Sequence, residues 1–144
     1  MEELPYTIYS YITFFISLFL MYQQELLDHY HHSPHRGTLD NPDFSSEVYS
    51  PSCGDIIAFC GIMHNNRPTE IKFTGSGCVI SQAAASLLAA KALQSTYEDI
   101  LAFGAQDMLT LLGIQLGPTR LKCALLPLEA LQQALRIYTS KQQE

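Results

Sequence analysis

The chain has 144 residues, 47% of them apolar, which is enough for one domain with one hydrophobic core and rules out disorder throughout. Its net charge is −6, and it is unevenly spread: residues 1–60 hold one cation, Arg36, and eight acids, while residues 61–144 hold seven cations and six acids. A chain this acidic lacks the clustered cations that phosphate-backbone binding needs, so nucleic acid is not an expected partner. It contains four cysteines. No export signal supports disulfides: the N-terminus opens Met1-Glu2-Glu3, where a signal peptide carries positive charge, and no small-residue cleavage site follows. The cysteines therefore read as reduced thiols or metal ligands in a cytoplasmic protein.

Leu4 to Gln24 carries no charge, and Ile8 to Leu20 is strongly apolar and aromatic. A membrane-spanning helix needs about 20 mostly apolar residues, flanked by cations that orient it. This stretch is borderline in length and has no such flank. Residues 1–20 are read as a hydrophobic extension that either precedes the true first residue, Met21, inserts in a membrane, or docks on a partner. The first reading is preferred, and a membrane partner is expected only if the extension is native. Residues 21–144 form the domain.

From Met21 to His32, Leu26, Leu27 and Tyr30 share a helical face, and Pro34 stops the run. Residues 33–46 are rich in turn formers and read as a loop. Glu47–Ser50, Asp55–Met63 and Thr69–Thr74 read as strands, with His64-Asn65-Asn66-Arg67-Pro68 as the hairpin turn between the last two. Val79 to Leu93, rich in Ala and Leu without Gly or Pro, is a helix. Ser95 with Glu98 suggests a capping box for a helix over 96–103, ended by Gly104. Asp107–Leu112 is a further short helix ended by Gly113. Ile114–Leu121 is expected to be extended, and a last helix starts near Pro127 and runs to about Thr139. Strands first and helices after predict an α+β fold, with a three-stranded antiparallel sheet and helices on one face.

Three cysteines sit at element ends beside small or turn residues. Cys53 precedes Gly54-Asp55, Cys78 follows Gly75-Ser76-Gly77 and opens a helix, and Cys123 follows Arg120-Leu121-Lys122. A helix N-terminus favours thiolate at Cys78, and the neighbouring cations Lys122 and Arg120 are expected to do so at Cys123. Gly54 lets Cys53 and Asp55 face one ion. Three thiolates and a carboxylate suit Zn²⁺, or iron with sulfide. The gaps of 24 and 44 residues match no finger or ribbon pattern, so unconnected buried cysteines stay an open alternative. Cys60, inside a strand, reads as a packed small hydrophobe. His29, His31, His32 and His35 straddle a helix end and read as solvated, and no Ser-His-Asp set or paired carboxylates suggest a hydrolase.

Pro51-Ser52-Cys53-Gly54-Asp55, Gly75-Ser76-Gly77-Cys78-Val79-Ile80-Ser81 and Lys122-Cys123-Ala124 resemble the three cysteine motifs of the iron–sulfur cluster scaffold family, which includes the IscU and SufU proteins and the NifU N-terminal domain. Leu27-Asp28-His29-Tyr30, Pro34 and Gly37 resemble its opening helix and loop. The resemblance covers residues 21–138. It implies a SufE/NifU-like fold whose three cysteines and aspartate converge at one exposed end. It further implies that Cys53, Asp55, Cys78 and Cys123 bind a transient [2Fe–2S] cluster, or Zn²⁺ or Fe²⁺ at the same ligands. The implied partners are a cysteine desulfurase, which supplies sulfur as persulfide, and acceptor apo-proteins. The implied role is a scaffold rather than an enzyme; the alternative is a SufU-like zinc-dependent sulfurtransferase. Cys123 is the persulfide acceptor in the first reading and Cys53 in the second. Lys122 stands where IscU-type members carry His, which resembles the SufU branch, yet the SufU insertion between the second and third cysteines is missing. The IscU chaperone-binding segment survives only as Leu116-Gly117-Pro118-Thr119-Arg120, which counts against an Hsp70-type chaperone as partner.

Overall fold

The computed structural model describes residues 5–144. Its elements, in chain order, are helix α1 (Tyr6–His31), strands β1 (Phe44–Tyr49), β2 (Ile56–His64) and β3 (Arg67–Ser76), and helices α2 (Val79–Ala92), α3 (Tyr97–Ala102), α4 (Ala105–Leu112) and α5 (Pro118–Gln142). The α+β expectation holds: the sheet is an antiparallel meander in the order β1-β2-β3. The turn between β2 and β3 is made by Asn65 and Asn66, both at positive φ (49° and 67°), the conformation that tight hairpins demand and Asn tolerates. One face of the sheet buries Ile57, Phe59, Ile71 and Phe73. Against that face lie α5, over β1 and β2, and α2, over β3. Each fully buried large apolar side chain there contributes roughly 1.5–3 kcal/mol.

Helix α2 is the central element. Ala83, Ala84, Ala85 and Ala89 are wholly buried, and so are Ser81 and Ser86. Small side chains let α1, α5 and the sheet approach it from different sides. Its two buried hydroxyls are satisfied locally: Ser81 Oγ donates to the Cys78 carbonyl at 3.1 Å, and Ser86 Oγ meets His29 Nδ1 at 2.7 Å and Ser33 Oγ at 2.6 Å. His29 is therefore half-buried and anchors α1 to α2, whereas His31 and His32 are exposed, as expected of a solvated helix end.

Several boundaries differ from the sequence reading. Helix α1 is continuous from Tyr6 through Met21 to His31, with none of its residues buried. Among the described residues, no helix is long and apolar enough to cross a membrane. The capping box is made by Thr96 and Asp99, one residue later than expected: Asp99 N donates to Thr96 Oγ1 at 3.2 Å and Thr96 N to Asp99 Oδ2 at 3.1 Å. Gly104 does not end α3 but caps the start of α4, where its N–H donates to Asp107 Oδ2 at 2.8 Å. Ile114–Leu121 is not extended throughout, because α5 begins at Pro118, nine residues before Pro127. Pro118 after Gly117 occupies the first turn, where proline costs no hydrogen bond. Pro127 lies inside the helix and removes the bond that the Cys123 carbonyl would otherwise accept. Cys123 is thus a residue of the first two turns of α5, not of a loop before it. Cys60 is half-buried and alternates away from the helix-covered face of β2.

Candidate metal centre

Three loops and helix starts meet at one end of the sheet. The β1–β2 connection carries Cys53 and Asp55. Ser50 N donates to the Asp55 carbonyl at 2.9 Å and Gly54 N to the Ser50 carbonyl at 2.8 Å, which closes a tight loop. Gly54 allows this closure because its φ is +77°, a conformation L side chains rarely adopt. The β3–α2 connection brings Cys78 alongside: Cys78 N donates to Asp55 Oδ2 at 3.4 Å. The first turns of α5 supply Cys123.

The ligand atoms of Cys53, Asp55 and Cys123 all lie within 4.8 Å of one another. Cys78, the fourth residue read from the sequence, falls outside this group; it is near enough to help raise the Cys123 thiol and is tied to Asp55 through its backbone N–H. Its sulfur is engaged as the cap of α2, accepting from Ser81 N at 3.5 Å. The motif reading did not single out Ser81 as the residue that holds this sulfur; its position three residues beyond the cap was the available signal. The four cysteines are free thiols, with Cys78 exposed, Cys53 and Cys60 half-buried and Cys123 buried.

The electrostatics of Cys123 reverse the sequence expectation. Its thiol is pushed up to about 12, first by burial and then by the Cys53 and Cys78 thiols beside it. Lys122 and Arg120 are exposed and do not offset this. Asp55 is 4% exposed, and its carboxylate meets one long hydrogen bond from Cys78. A buried carboxylate costs free energy unless a cation or several donors face it. Clustered thiols and one carboxylate form a donor set that matches Zn²⁺ or iron, and metal binding would exchange the thiol protons for a shared dication. The histidines do not join this cluster: the group of metal-competent side chains among the described residues is Cys53, Asp55 and Cys123.

A family model described as NifU-like N terminal domain matches residues 21–144. The chain belongs to that family. The iron–sulfur cluster assembly proteins that the cysteine motifs resemble are among its relatives. The iron–sulfur cluster assembly scaffold protein IscU of Thermotoga maritima is 31% identical over 133 residues, covering 81% of this chain and 94% of the relative. The zinc-dependent sulfurtransferase SufU of Bacillus subtilis is 27% identical over 141 residues, covering 86% of this chain and 95% of the relative. The fold is also that of the crystal structure described as a SUF-system scaffold from Fervidobacterium islandicum, with a TM-score of 0.68 at 23% identity over 77% of this chain and 93% of the other. As a member of the NifU-like family, the chain shows an α+β fold with the cysteine motifs gathered at one end of its sheet.

Proposed function

We propose that this protein is a scaffold on which [2Fe–2S] clusters are built from desulfurase-derived sulfur and iron and then passed to acceptor apo-proteins. The observation that carries the reading is the convergence of Cys53, Asp55 and Cys123 within 4.8 Å, with the Cys78 backbone N–H donating to Asp55. The similarity to the IscU of Thermotoga maritima over most of both chains supports it. The residues proposed to hold the cluster are Cys53, Asp55, Cys78 and Cys123, and residues 21–144 form the working domain.

Sulfur enters by thiol–persulfide exchange. A thiolate of the scaffold attacks the outer sulfur of the desulfurase persulfide; the sulfur–sulfur bond breaks and the desulfurase cysteine leaves as thiolate. The new persulfide carries sulfur at the zero-valent level, so an external two-electron donor must reduce it to sulfide. Cys123 is the proposed acceptor. Burial and the neighbouring thiols push its thiol up; Cys53 and Asp55 would hold Fe²⁺ beside it, and that charge would favour the thiolate.

A second reading, a zinc-dependent sulfur acceptor for the desulfurase, draws on the similarity to the SufU of Bacillus subtilis and on the accessibility of the thiols. Cys53 is half-buried while Cys123 is buried, so Cys53 is the acceptor in that case. Anaerobic reconstitution with a cysteine desulfurase, cysteine, a reductant and Fe²⁺ tests the first reading: a visible-absorbing cluster with two irons per scaffold site is expected. Peptide mass spectrometry after one turnover places the added sulfur atom. Persulfide on Cys53 of zinc-loaded protein, with Cys123 unmodified and no cluster formed, would promote the second reading.

A further inference from the structure

Helix α1 runs unbroken from Tyr6 to His31 with none of its residues buried. Its contacts with the domain come from its C-terminal part: Tyr22 beside Gly113, Leu26 against the core and His29 Nδ1 on Ser86 Oγ. Residues 6–20 are exposed throughout. Tyr9, Tyr11, Phe14, Phe15 and Phe19 are each 58–66% exposed. Such side chains bury roughly 150–250 Å² each when covered, so these five alone leave on the order of 600 Å² of ring surface in water. The largest apolar patch on a typical monomer is about 300–600 Å². Ile8, Ile12, Ile16, Leu18 and Leu20 add to it here.

The arrangement of this surface is not random. Successive residues of an α-helix are turned by about 100°. On that spacing Ile8, Ile12, Phe15 and Phe19 fall along one line of α1. Apolar side chains spread from that line over about 260° of the circumference, bounded by Leu20 on one side and Met21 on the other. From Ile8 to Tyr22 the polar residues are Ser10, Thr13 and Ser17, and all three fall in the strip that remains. The Thr13 hydroxyl lies 2.8 Å from the Tyr9 carbonyl and 3.0 Å from the Ser10 carbonyl. Its proton is thus satisfied inside the helix, without water.

We propose that the N-terminal half of α1 lies in the surface of a zwitterionic lipid bilayer, with Ile8, Ile12, Phe15 and Phe19 toward the acyl chains and Ser10, Thr13 and Ser17 toward water. Two features favour lipid over a protein. The first is the width of the apolar arc. A second copy of the helix would cover a narrow seam and leave most of the arc in water, whereas a bilayer surface takes in a whole apolar face to a depth of about 5–10 Å. The second is charge. Leu4 to Gln24 carries none, so this stretch offers nothing for an acidic or basic protein to recognise. The first sixty residues hold eight acids and one cation, which an anionic membrane would repel. A lipid surface without net charge suits both facts. Among the described residues no helix is long and apolar enough to cross a membrane, so α1 lies along the surface. Tyr9 and Tyr11 stand on either side of the central line, where a ring stays among apolar groups while its hydroxyl reaches the headgroups. The inference does not draw on the metal centre.

The test is flotation of the full chain. It is synthesised by cell-free translation with phosphatidylcholine vesicles present and then spun in a density gradient, where vesicle-bound protein rises and aggregates sink. Most of the wild-type chain is expected in the floating fraction. Phe15→Glu and Phe19→Glu, at exposed positions on the central line, should each lower that fraction at least fivefold. Ser17→Glu, on the polar strip, should float like wild type, which separates sided insertion from general stickiness. Vesicles in which a third of the lipid is phosphatidylglycerol should carry no more protein than phosphatidylcholine alone. A wild-type chain that stays at the bottom, as aggregate or as a discrete dimer, would overturn the proposal. So would Phe15→Glu and Phe19→Glu floating like wild type, Ser17→Glu losing as much binding as they do, or tighter binding to the anionic vesicles.

Discussion

The Asp55 carboxylate lies hard against Gly77, so close that a Cβ at position 77 would overlap the Asp55 side chain. Gly77 also has φ +152°, a backbone conformation that L side chains rarely adopt. One glycine therefore does two things. It lets β3 turn into α2, and it lets a buried carboxylate reach the Cys78 backbone. Gly77→Ala should strain the turn by roughly 1–3 kcal/mol and push Asp55 out of register with the thiols. Zinc affinity, measured by competition with a chromophoric chelator, is expected to fall at least tenfold while the protein still unfolds cooperatively. Unchanged affinity would show that the contact does not position Asp55.

Removing a ligand thiol should remove the metal. Cys53→Ser, Cys78→Ser and Cys123→Ser are each expected to bind much less Zn²⁺ or Fe²⁺ than wild type by elemental analysis. Cys60→Ser should bind the same amount, because Cys60 lies within β2, paired across the sheet with Ser45 and Lys72. Equal metal content in wild type and Cys123→Ser would dissolve the shared site.

In the proposed site Asp55 would supply the hard ligand among soft ones, and a carboxylate exchanges more readily than a thiolate at a soft metal site. Asp55→Ala is expected to lengthen the lifetime of a reconstituted cluster severalfold and to slow its transfer to an acceptor. The same substitution relieves a buried carboxylate, so the metal-free protein should gain rather than lose thermal stability. Transfer as fast as wild type would remove the proposed role.

His35 gives the fold a pH dependence away from the proposed metal ligands. Its pKa is lowered, first by burial, then by Lys72 and by His29, against a smaller opposing backbone hydrogen bond. A histidine with a depressed folded pKa favours the neutral form in the fold. Its contribution to stability is complete above the unfolded value near 6.5 and is lost as the pH falls below it. The melting temperature of the metal-free protein should drop between pH 7.5 and 5.5, and drop less in His35→Gln. An identical drop in both proteins would assign the dependence elsewhere.

The N-terminal half of α1 projects apolar and aromatic side chains into solvent, with Phe14, Phe15, Phe19 and Leu20 each more than half exposed. The contacts that tie α1 down come from its other end, at His29 and at Tyr22, whose ring lies beside Gly113. A chain starting at Met21 is therefore expected to fold, bind metal and stay monomeric by light scattering. Aggregation of that chain, with the full chain dispersed, would make residues 1–20 part of the fold.

The sequence by itself determined whatever depends on local chemistry. Asn65-Asn66 between two β-branched and aromatic runs fixes a hairpin, and the alanine-rich run after Cys78 fixes a helix, because each signal acts within a few residues. The three cysteine motifs, in order and with the right elements between them, carried the family. The start of α5 was not legible in the same way. Pro118 and Pro127 both satisfy the first-turn preference, and the choice falls to the first because Pro127 is buried in the core with Leu128 and Leu131. Tertiary structure alone decided the state of Cys123. Its sequence neighbours are cations, but its spatial neighbours are two thiols and apolar core, and burial outweighs exposed charges that water screens. The pairing of Arg36 with Gln82 belongs to the same class: 46 residues separate them in the chain, and only tertiary packing brings Arg36 Nη1 within 3.1 Å of Gln82 Oε1.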